Sequence, residues 1–293
     1  MFRGAYTALA TPLADDRVDE PALARLAQHQ LDAGIDGLVP CGTTGESATL
    51  SISEHVRAIE VVMRTANGRV PVIAGAGSNC TRSAIETTRA CKELGTAATL
   101  HVTPYYNKPG QDELRRHFLT IADRVGHPIV LYNVPSRTCV DLLPSTVAAL
   151  AQHPMIVGIK DATGDMHRVA ELRERCGDDF ALLSGDDFSL LGFLATGGDG
   201  VVSVCSNVVP GVFVELCQAV RDGDLARARA LQFRHLPLTR CLFTKSNPIP
   251  LKAALSAMGL CQNKLYPPMF PLDLESEEGQ RLLAALREIG AMS

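Results

Sequence analysis

The stretch Ile156-Val157-Gly158-Ile159-Lys160-Asp161-Ala162-Thr163-Gly164 is an apolar run that ends on one lysine just before a turn. Read as a strand, it sets Lys160 where the chain is about to leave a sheet. An ammonium is costly to bury, so apolar surroundings favour the free amine, the form that attacks a carbonyl and builds a Schiff base. The same run also fits a lysine that only snorkels out of a strand end. The rest of the chain has to decide between the two.

Outward from this stretch, short apolar runs alternate with longer amphipathic segments, the pattern of βα units around a parallel sheet. Eight strands are predicted: Ala5 to Leu9, Gly37 to Val39, Val72 to Ala74, Ala98 to Val102, Ile129 to Asn133, Ile156 to Lys160, Ala181 to Ser184 and Gly200 to Ser203. Helix starts are marked by Asp19-Glu20-Pro21, Ser53-Glu54, Thr81-Arg82-Ser83 and Pro144-Ser145, residue types that cap free amides or tolerate lacking one. Gly34, Gly68, Gly95 and Gly126 stand where left-handed C-terminal caps return the chain to the sheet. The fold class expected is α/β, a (β/α)8 TIM barrel over residues 1–221 followed by a C-terminal helical region over 222–293. Helices are expected there at Asp224 to Leu236, Lys252 to Met258 and Glu277 to Ile289, with connections at Pro237, Pro248, Pro250, Pro267, Pro268 and Pro271.

Composition narrows the function. The 293 residues carry 28 basic and 32 acidic side chains, a formal charge of -4, which gives no footprint for nucleic acid or an anionic membrane. No apolar run is long enough to span a bilayer and the start has no secretory pattern, so a cytoplasmic protein is expected. Nine cysteines without a Cys-x-x-Cys pair read as reduced core thiols, and neither Cys41 nor Cys139 has a histidine nearby in sequence to make it a nucleophile. The eight histidines show no metal-binding spacing, so no metal is expected. Gly197-Gly198-Asp199-Gly200 runs into the eighth strand and lacks an adjacent cation, so it reads as a tight turn and not as a phosphate site.

In such a barrel, chemistry sits at strand ends and in the loops that follow. Pro40-Cys41-Gly42-Thr43-Thr44-Gly45-Glu46-Ser47 follows the second strand and Thr103-Pro104-Tyr105-Tyr106-Asn107 the fourth; Tyr132-Asn133-Val134-Pro135-Ser136-Arg137-Thr138 ends and follows the fifth. All share the predicted barrel face of Lys160. The Gly42 to Gly45 turn offers amides for a carboxylate and two hydroxyls that donate or relay protons, or is simply a tight turn. Tyrosine phenols serve as acid or base, or merely plug the surface. Arg137 has the fork geometry to hold a second carboxylate, or makes a surface ion pair. The other lysines, Lys92, Lys108, Lys245, Lys252 and Lys264, sit in polar, helical or Pro-bearing surroundings, which isolates Lys160.

Together Gly42-Thr43-Thr44-Gly45-Glu46, Tyr105-Tyr106-Asn107, Tyr132-Asn133-Val134-Pro135, Gly158-Ile159-Lys160 and Gly185-Asp186-Asp187, in that order and at these spacings, resemble the dihydrodipicolinate synthase and N-acetylneuraminate lyase superfamily of Schiff-base aldolases. The resemblance covers about residues 4 to 260. It implies an imine between pyruvate and Lys160, with no other cofactor, and the pyruvate carboxylate on the Thr43-Thr44 amides. It also implies that Val202 and Gly185 contact the substrate. Tyr132 would shuttle protons in a relay with Thr43 and with Tyr106, the last lent by a neighbouring subunit, which implies a homotetramer built as a dimer of dimers.

Arg137 in its Ser-Arg-Thr context resembles the dihydrodipicolinate synthase branch, where this arginine receives the carboxylate of L-aspartate 4-semialdehyde in lysine and diaminopimelate synthesis. An aldolase for a 2-keto-3-deoxy sugar acid or other hydroxy-oxo acid is the alternative enzyme, and a pyruvate-binding sensor without turnover the non-enzymatic one. Ser47, Ala48, His55, Asn79 and Tyr105 match the lysine-inhibition site of relatives, but Ile52 and Ser83 replace one histidine and the glutamate. Weak or absent feedback inhibition is expected.

Overall fold

The computed structural model describes residues 2–292. Its strands are β1 (Gly4–Ala8), β2 (Leu13–Ala14), β3 (Arg17–Val18), β4 (Gly37–Val39), β5 (Ile73–Gly75), β6 (Ala98–Val102), β7 (Ile129–Asn133), β8 (Ile156–Asp161), β9 (Ala181–Ser184) and β10 (Gly200–Ser203). Eight of them form one parallel sheet in the order β4-β1-β10-β9-β8-β7-β6-β5. They are the eight predicted strands, with bounds that agree or differ by one residue. Parallel strands are buried on both faces and so read as nearly continuous apolar runs; β7, β9 and β10 are buried at every residue and turn polar only at their last, Asn133, Ser184 and Ser203.

β2 and β3 form a hairpin that the apolar pattern does not announce. Its strands are two residues each, too short for any alternation, and its turn is built by Asp15 and Asp16, both at positive φ (49° and 56°). Aspartate tolerates that left-handed region better than most residues.

The chain divides into two compact units. One runs from Val72 to Val202 together with the residues up to Gly4. It holds α3 (Thr81–Glu93), α4 (Gln111–Val125), α5 (Pro135–Thr138), α6 (Pro144–Leu150), α7 (Met166–Cys176) and α8 (Leu190–Ala195). Its core packs Leu114, Phe118 and Ile121 of α4 and Val147 and Leu150 of α6 against Ile129 and Leu131 of β7 and Ile159 of β8. Gly158 marks a close approach: a Cβ there would lie 2.7 Å from the Ala181 carbonyl oxygen on β9, its register partner. This packing holds β7, β8 and β9 tightly side by side.

The second unit runs over Ala5–Pro71 and from Ser203 onward. It contains α1 (Glu20–Asp32), α2 (Ile52–Ala66), α9 (Pro210–Arg221), α10 (Leu225–Leu242), α11 (Ile249–Ala257) and α12 (Glu277–Ile289). Helix α1 starts as expected, with the Asp19 carboxylate accepting from the Ala22 amide at 3.0 Å. Helix α2 starts earlier than Ser53-Glu54 suggests, because Ser51 caps it in a reciprocal box with Glu54.

Pro237 does not connect two helices but lies inside α10. A proline removes one backbone bond at a cost of about 3 kcal/mol. Buried Leu231, His235, Leu238, Thr239 and Leu242 carry one face of α10 past it, and that packing outweighs the loss. Pro250 likewise sits in the first turn of α11, where no amide bond is required of it.

Candidate active site

Lys160 is one residue from the end of β8, and its register partner on β7 is Tyr132. Paired residues of neighbouring strands project to the same face of a sheet, and here they meet: the Lys160 Nζ stands 4.3 Å from the centre of the Tyr132 ring. Both are buried, at 5% and 6% exposure. An ammonium over a ring face is held by the ring quadrupole, so the amine is oriented and not loose. The snorkelling alternative fails on the burial.

Gly185, immediately after β9, closes the other side. Its amide donates to the Asp161 carbonyl at 2.7 Å, and a Cβ at this position would fall 2.9 Å from Lys160 Cε. Only a residue without a side chain lets the backbone pass so near. Val202 is buried in β10, next to Val201, which is in register with Ser184 of β9.

A polar network that the sequence reading did not single out stiffens the strand ends. Asn133 donates to Asp141 at 2.8 Å and to buried Asp161 at 3.3 Å, and its side-chain oxygen accepts from the Leu142 amide at 2.9 Å. Arg168 lies 3.0 Å from Asp141 and 3.4 Å from Asp161. The Thr163 amide donates to the second Asp161 oxygen at 2.9 Å. Asp161, adjacent to Lys160, is thus held by charge and by amides together. Asn133 and Asp161 lie inside the quoted motifs, and that adjacency was the only signal available.

The short helix α5 carries Arg137, which is solvent-exposed. Thr138, next to it, is buried and receives a hydrogen bond from Thr103 at 3.2 Å, tying this helix to the end of β6. Beyond Thr103 come Tyr105 and Tyr106, 37% and 91% exposed. Tyr106 has φ 71°, a conformation rare for a bulky residue and one that marks a constrained position. Asn79 donates to the Tyr105 carbonyl at 3.3 Å and accepts from Asn107 at 2.9 Å, holding this loop.

Thr43 and Thr44 belong to the second unit. Their turn is closed by bonds from the Glu46 amide to the Thr43 carbonyl (3.1 Å) and from the Ser47 amide to the Gly42 carbonyl (3.3 Å). Thr11 pins it by donating to the Gly45 carbonyl at 2.8 Å. A Cβ on Gly45 would lie 2.9 Å from the Cys41 nitrogen, so this glycine is required by close approach. Among the described residues, the amides of Thr43 and Thr44 donate to no protein acceptor. Two such amides in succession suit an anion. Cys41 is a buried thiol donating to the His55 carbonyl at 3.5 Å.

Lys252, which the sequence places in helical, Pro-bearing surroundings, lies in α11 and has a buried partner that this context does not announce. Its side chain is fully buried and paired with the equally buried carboxylate of Glu46, and its Nζ donates to the Lys264 carbonyl at 2.8 Å. Burial pushes the Lys252 ammonium below its ordinary range, and the Glu46 charge opposes that shift. The helical context hid it because its partner lies in a distant segment. Asn247, also missed, is buried, and its side-chain amide donates to the Thr44 hydroxyl at 2.9 Å.

Comparison with known proteins shows the family and the fold. The model of the dihydrodipicolinate synthetase family matches residues 1–288. A 4-hydroxy-tetrahydrodipicolinate synthase of Pelobacter propionicus is 50% identical over 272 residues, 93% of this chain and 94% of the relative. The structure of a chloride-inhibited dihydrodipicolinate synthase from Acinetobacter baumannii, complexed with pyruvate, is 42% identical and superposes with a TM-score of 0.97 over 100% of both chains. An enzyme of this kind from Cyanidioschyzon merolae, with lysine bound, gives 38% identity and a TM-score of 0.96 over 99% of both. The fold is accordingly a (β/α)8 barrel with C-terminal helices.

Proposed function

Because the chain belongs to the dihydrodipicolinate synthetase family, we propose that Lys160 forms an imine with pyruvate and that the other strand-end residues serve that intermediate. The enzyme condenses pyruvate with L-aspartate 4-semialdehyde to 4-hydroxy-tetrahydrodipicolinate, the activity named for relatives about half identical over nearly the whole chain. The sugar-acid aldolase and the sensor are set aside on the same ground. The observation that carries the reading is the buried amine of Lys160, stacked on Tyr132 and backed by Gly185.

The amine adds to the pyruvate carbonyl and water leaves, giving a protonated imine. The imine draws electrons, so a methyl proton departs and an enamine forms; its carbon attacks the aldehyde. The amino group of the condensed product then adds to the imine carbon and expels Lys160, which closes the ring and frees the enzyme. No resident cofactor is needed, since the imine itself is the electron sink.

Tyr132, beside the amine, is the proposed proton carrier. Thr43 and Tyr106 keep the relay roles that the family resemblance gives them, and Thr44 binds the pyruvate carboxylate. Gly185 and Val202 are proposed substrate contacts. Arg137, with its planar fork of donors, is proposed to receive the carboxylate of the semialdehyde. A homotetramer is the proposed assembly, supported by the 91% exposure and constrained backbone of Tyr106. No helix among the described residues is long and apolar enough to cross a membrane, and a cytoplasmic setting is proposed from the biosynthetic activity.

Borohydride reduction in the presence of pyruvate tests the central step. A pyruvate-derived adduct is expected on the peptide containing Lys160. Its absence there would overturn the imine mechanism.

A further inference from the structure

Thr44 and Glu46 are two residues apart in one tight turn, and a single downstream segment grips both. Asn247, just ahead of α11, donates its side-chain amide to the Thr44 hydroxyl at 2.9 Å. Lys252, in α11, pairs with the Glu46 carboxylate inside the protein, both side chains at 0% exposure. The other Glu46 oxygen accepts from the Tyr266 amide at 3.0 Å, and Lys252 is itself held by the Lys264 carbonyl. Breaking one side of a buried pair strands the other charge away from water, which costs several kcal/mol. The turn is therefore clamped at Glu46, and Thr44 is presented in one orientation.

A threonine hydroxyl has one proton to give and lone pairs to receive. The Asn247 NH2 group can only donate. While it occupies the Thr44 oxygen, that hydroxyl is the acceptor in this bond and its own proton points elsewhere. Thr44 is 2% exposed, and Asn247 5%, so water does not compete for the pairing.

We propose that Asn247 is a positioning residue for substrate binding: it fixes the Thr44 hydroxyl as a hydrogen-bond donor to the pyruvate carboxylate, with the Glu46–Lys252 pair holding the turn in place. This rests on the reading of Thr44 as a carboxylate-binding residue. The C-terminal helical region then contributes to substrate affinity through a residue that touches no substrate.

The test is a double-mutant cycle on the full-length enzyme, with KM for pyruvate, kcat and thermal midpoint measured for Asn247→Leu, Thr44→Val and the pair. Losing one oriented hydrogen bond to a charged group corresponds to about a tenfold change. Asn247→Leu is expected to raise KM for pyruvate about five- to tenfold with kcat within about threefold. Thr44→Val is expected to raise it about tenfold or more, and the double variant to be no worse than Thr44→Val, because the hydroxyl through which Asn247 acts is gone. An unchanged KM in Asn247→Leu, a loss confined to kcat, or effects that multiply in the double variant would each overturn the proposal. An unchanged KM in Thr44→Val overturns it at its root, by removing the Thr44 hydroxyl from the carboxylate site while leaving its amide there, and is told apart from the other failures by that variant alone. If Asn247→Leu does not fold, Asn247→Ala, which only removes atoms, runs through the same cycle with the same outcomes.

Discussion

The backbone of Gly185 runs directly against the side chain of Lys160: a Cβ at Gly185 would lie 2.9 Å from Lys160 Cε and 2.7 Å from the Cβ of Ala162. With the Tyr132 ring 4.3 Å from the Nζ on the other side, the amine is confined between a β7 aromatic and a glycine. The position of the nitrogen is thus set by sterics as well as by the ring face.

Gly185→Ala is accordingly a probe of amine placement. Ala162 is fixed to the main chain, so the lysine stem has to give way. A displacement of this order at a reacting atom costs on the order of 100-fold in rate. The expected outcome is a kcat reduced by about that factor, with pyruvate-dependent borohydride trapping slowed in parallel and the thermal midpoint lowered by only a few degrees. Trapping at the parental rate would show that the methyl is absorbed without moving Lys160.

Buried histidines predict the acid side of the stability profile. Burial holds His101 at about 3 and His117 and His235 at about 4, against an ordinary 6.5. Each has a threonine partner: Thr99 for His101, Thr81 for His117 and Thr239 for His235. Below pH 6.5 the unfolded chain takes up protons that the folded chain refuses, so stability is full above about 6.5 and is lost as pH falls towards 4. A histidine shifted this far contributes roughly 3 kcal/mol across that window. The thermal midpoint is expected to fall steadily from pH 7 to pH 4.5, and His117→Gln to flatten part of that slope. A midpoint constant over this range would mean that these rings do not stay neutral.

Weak feedback by lysine is the third expectation. The family resemblance implies a lysine site at Ser47, Ala48, His55, Asn79 and Tyr105, at which Ile52, 71% exposed, and Ser83 would stand in for a histidine and a glutamate. An amino group without a carboxylate partner gains little from a polar surface alone. Lysine at about 1 mM is expected to leave the pyruvate-saturated rate within about 20%. Inhibition at submillimolar lysine would count against this, whereas Ile52→His with Ser83→Glu is expected to increase sensitivity.

Much of the architecture was legible along the chain, for reasons that differ by element. β7 is an apolar run from Ile129 to Tyr132 that ends on Asn133 and is buried throughout, the pattern of a strand covered on both faces. Asp19 and Pro21 mark the start of α1 through bonds made within one turn. The β2–β3 hairpin, the passage of α10 through Pro237 and the start of α2 at Ser51 were not legible. The first is too short for a period, the second depends on which face of α10 is buried, and at the third Ser51 and Ser53 are two neighbouring cap candidates, of which Ser51 forms the box with Glu54.

The sequence by itself determined the order of βα units, the strand-end position of Lys160 and the motif set that places the chain in its family, because each depends on neighbours within a few residues or on residue identity alone. Only the tertiary structure decided that Tyr132 is the residue under the Lys160 amine, since that follows from the β7–β8 register. It alone paired Lys252 with Glu46 inside the protein, and made Asn247 the partner of Thr44. Burial and partner choice arise from contacts between segments far apart in the chain, and no local period encodes them.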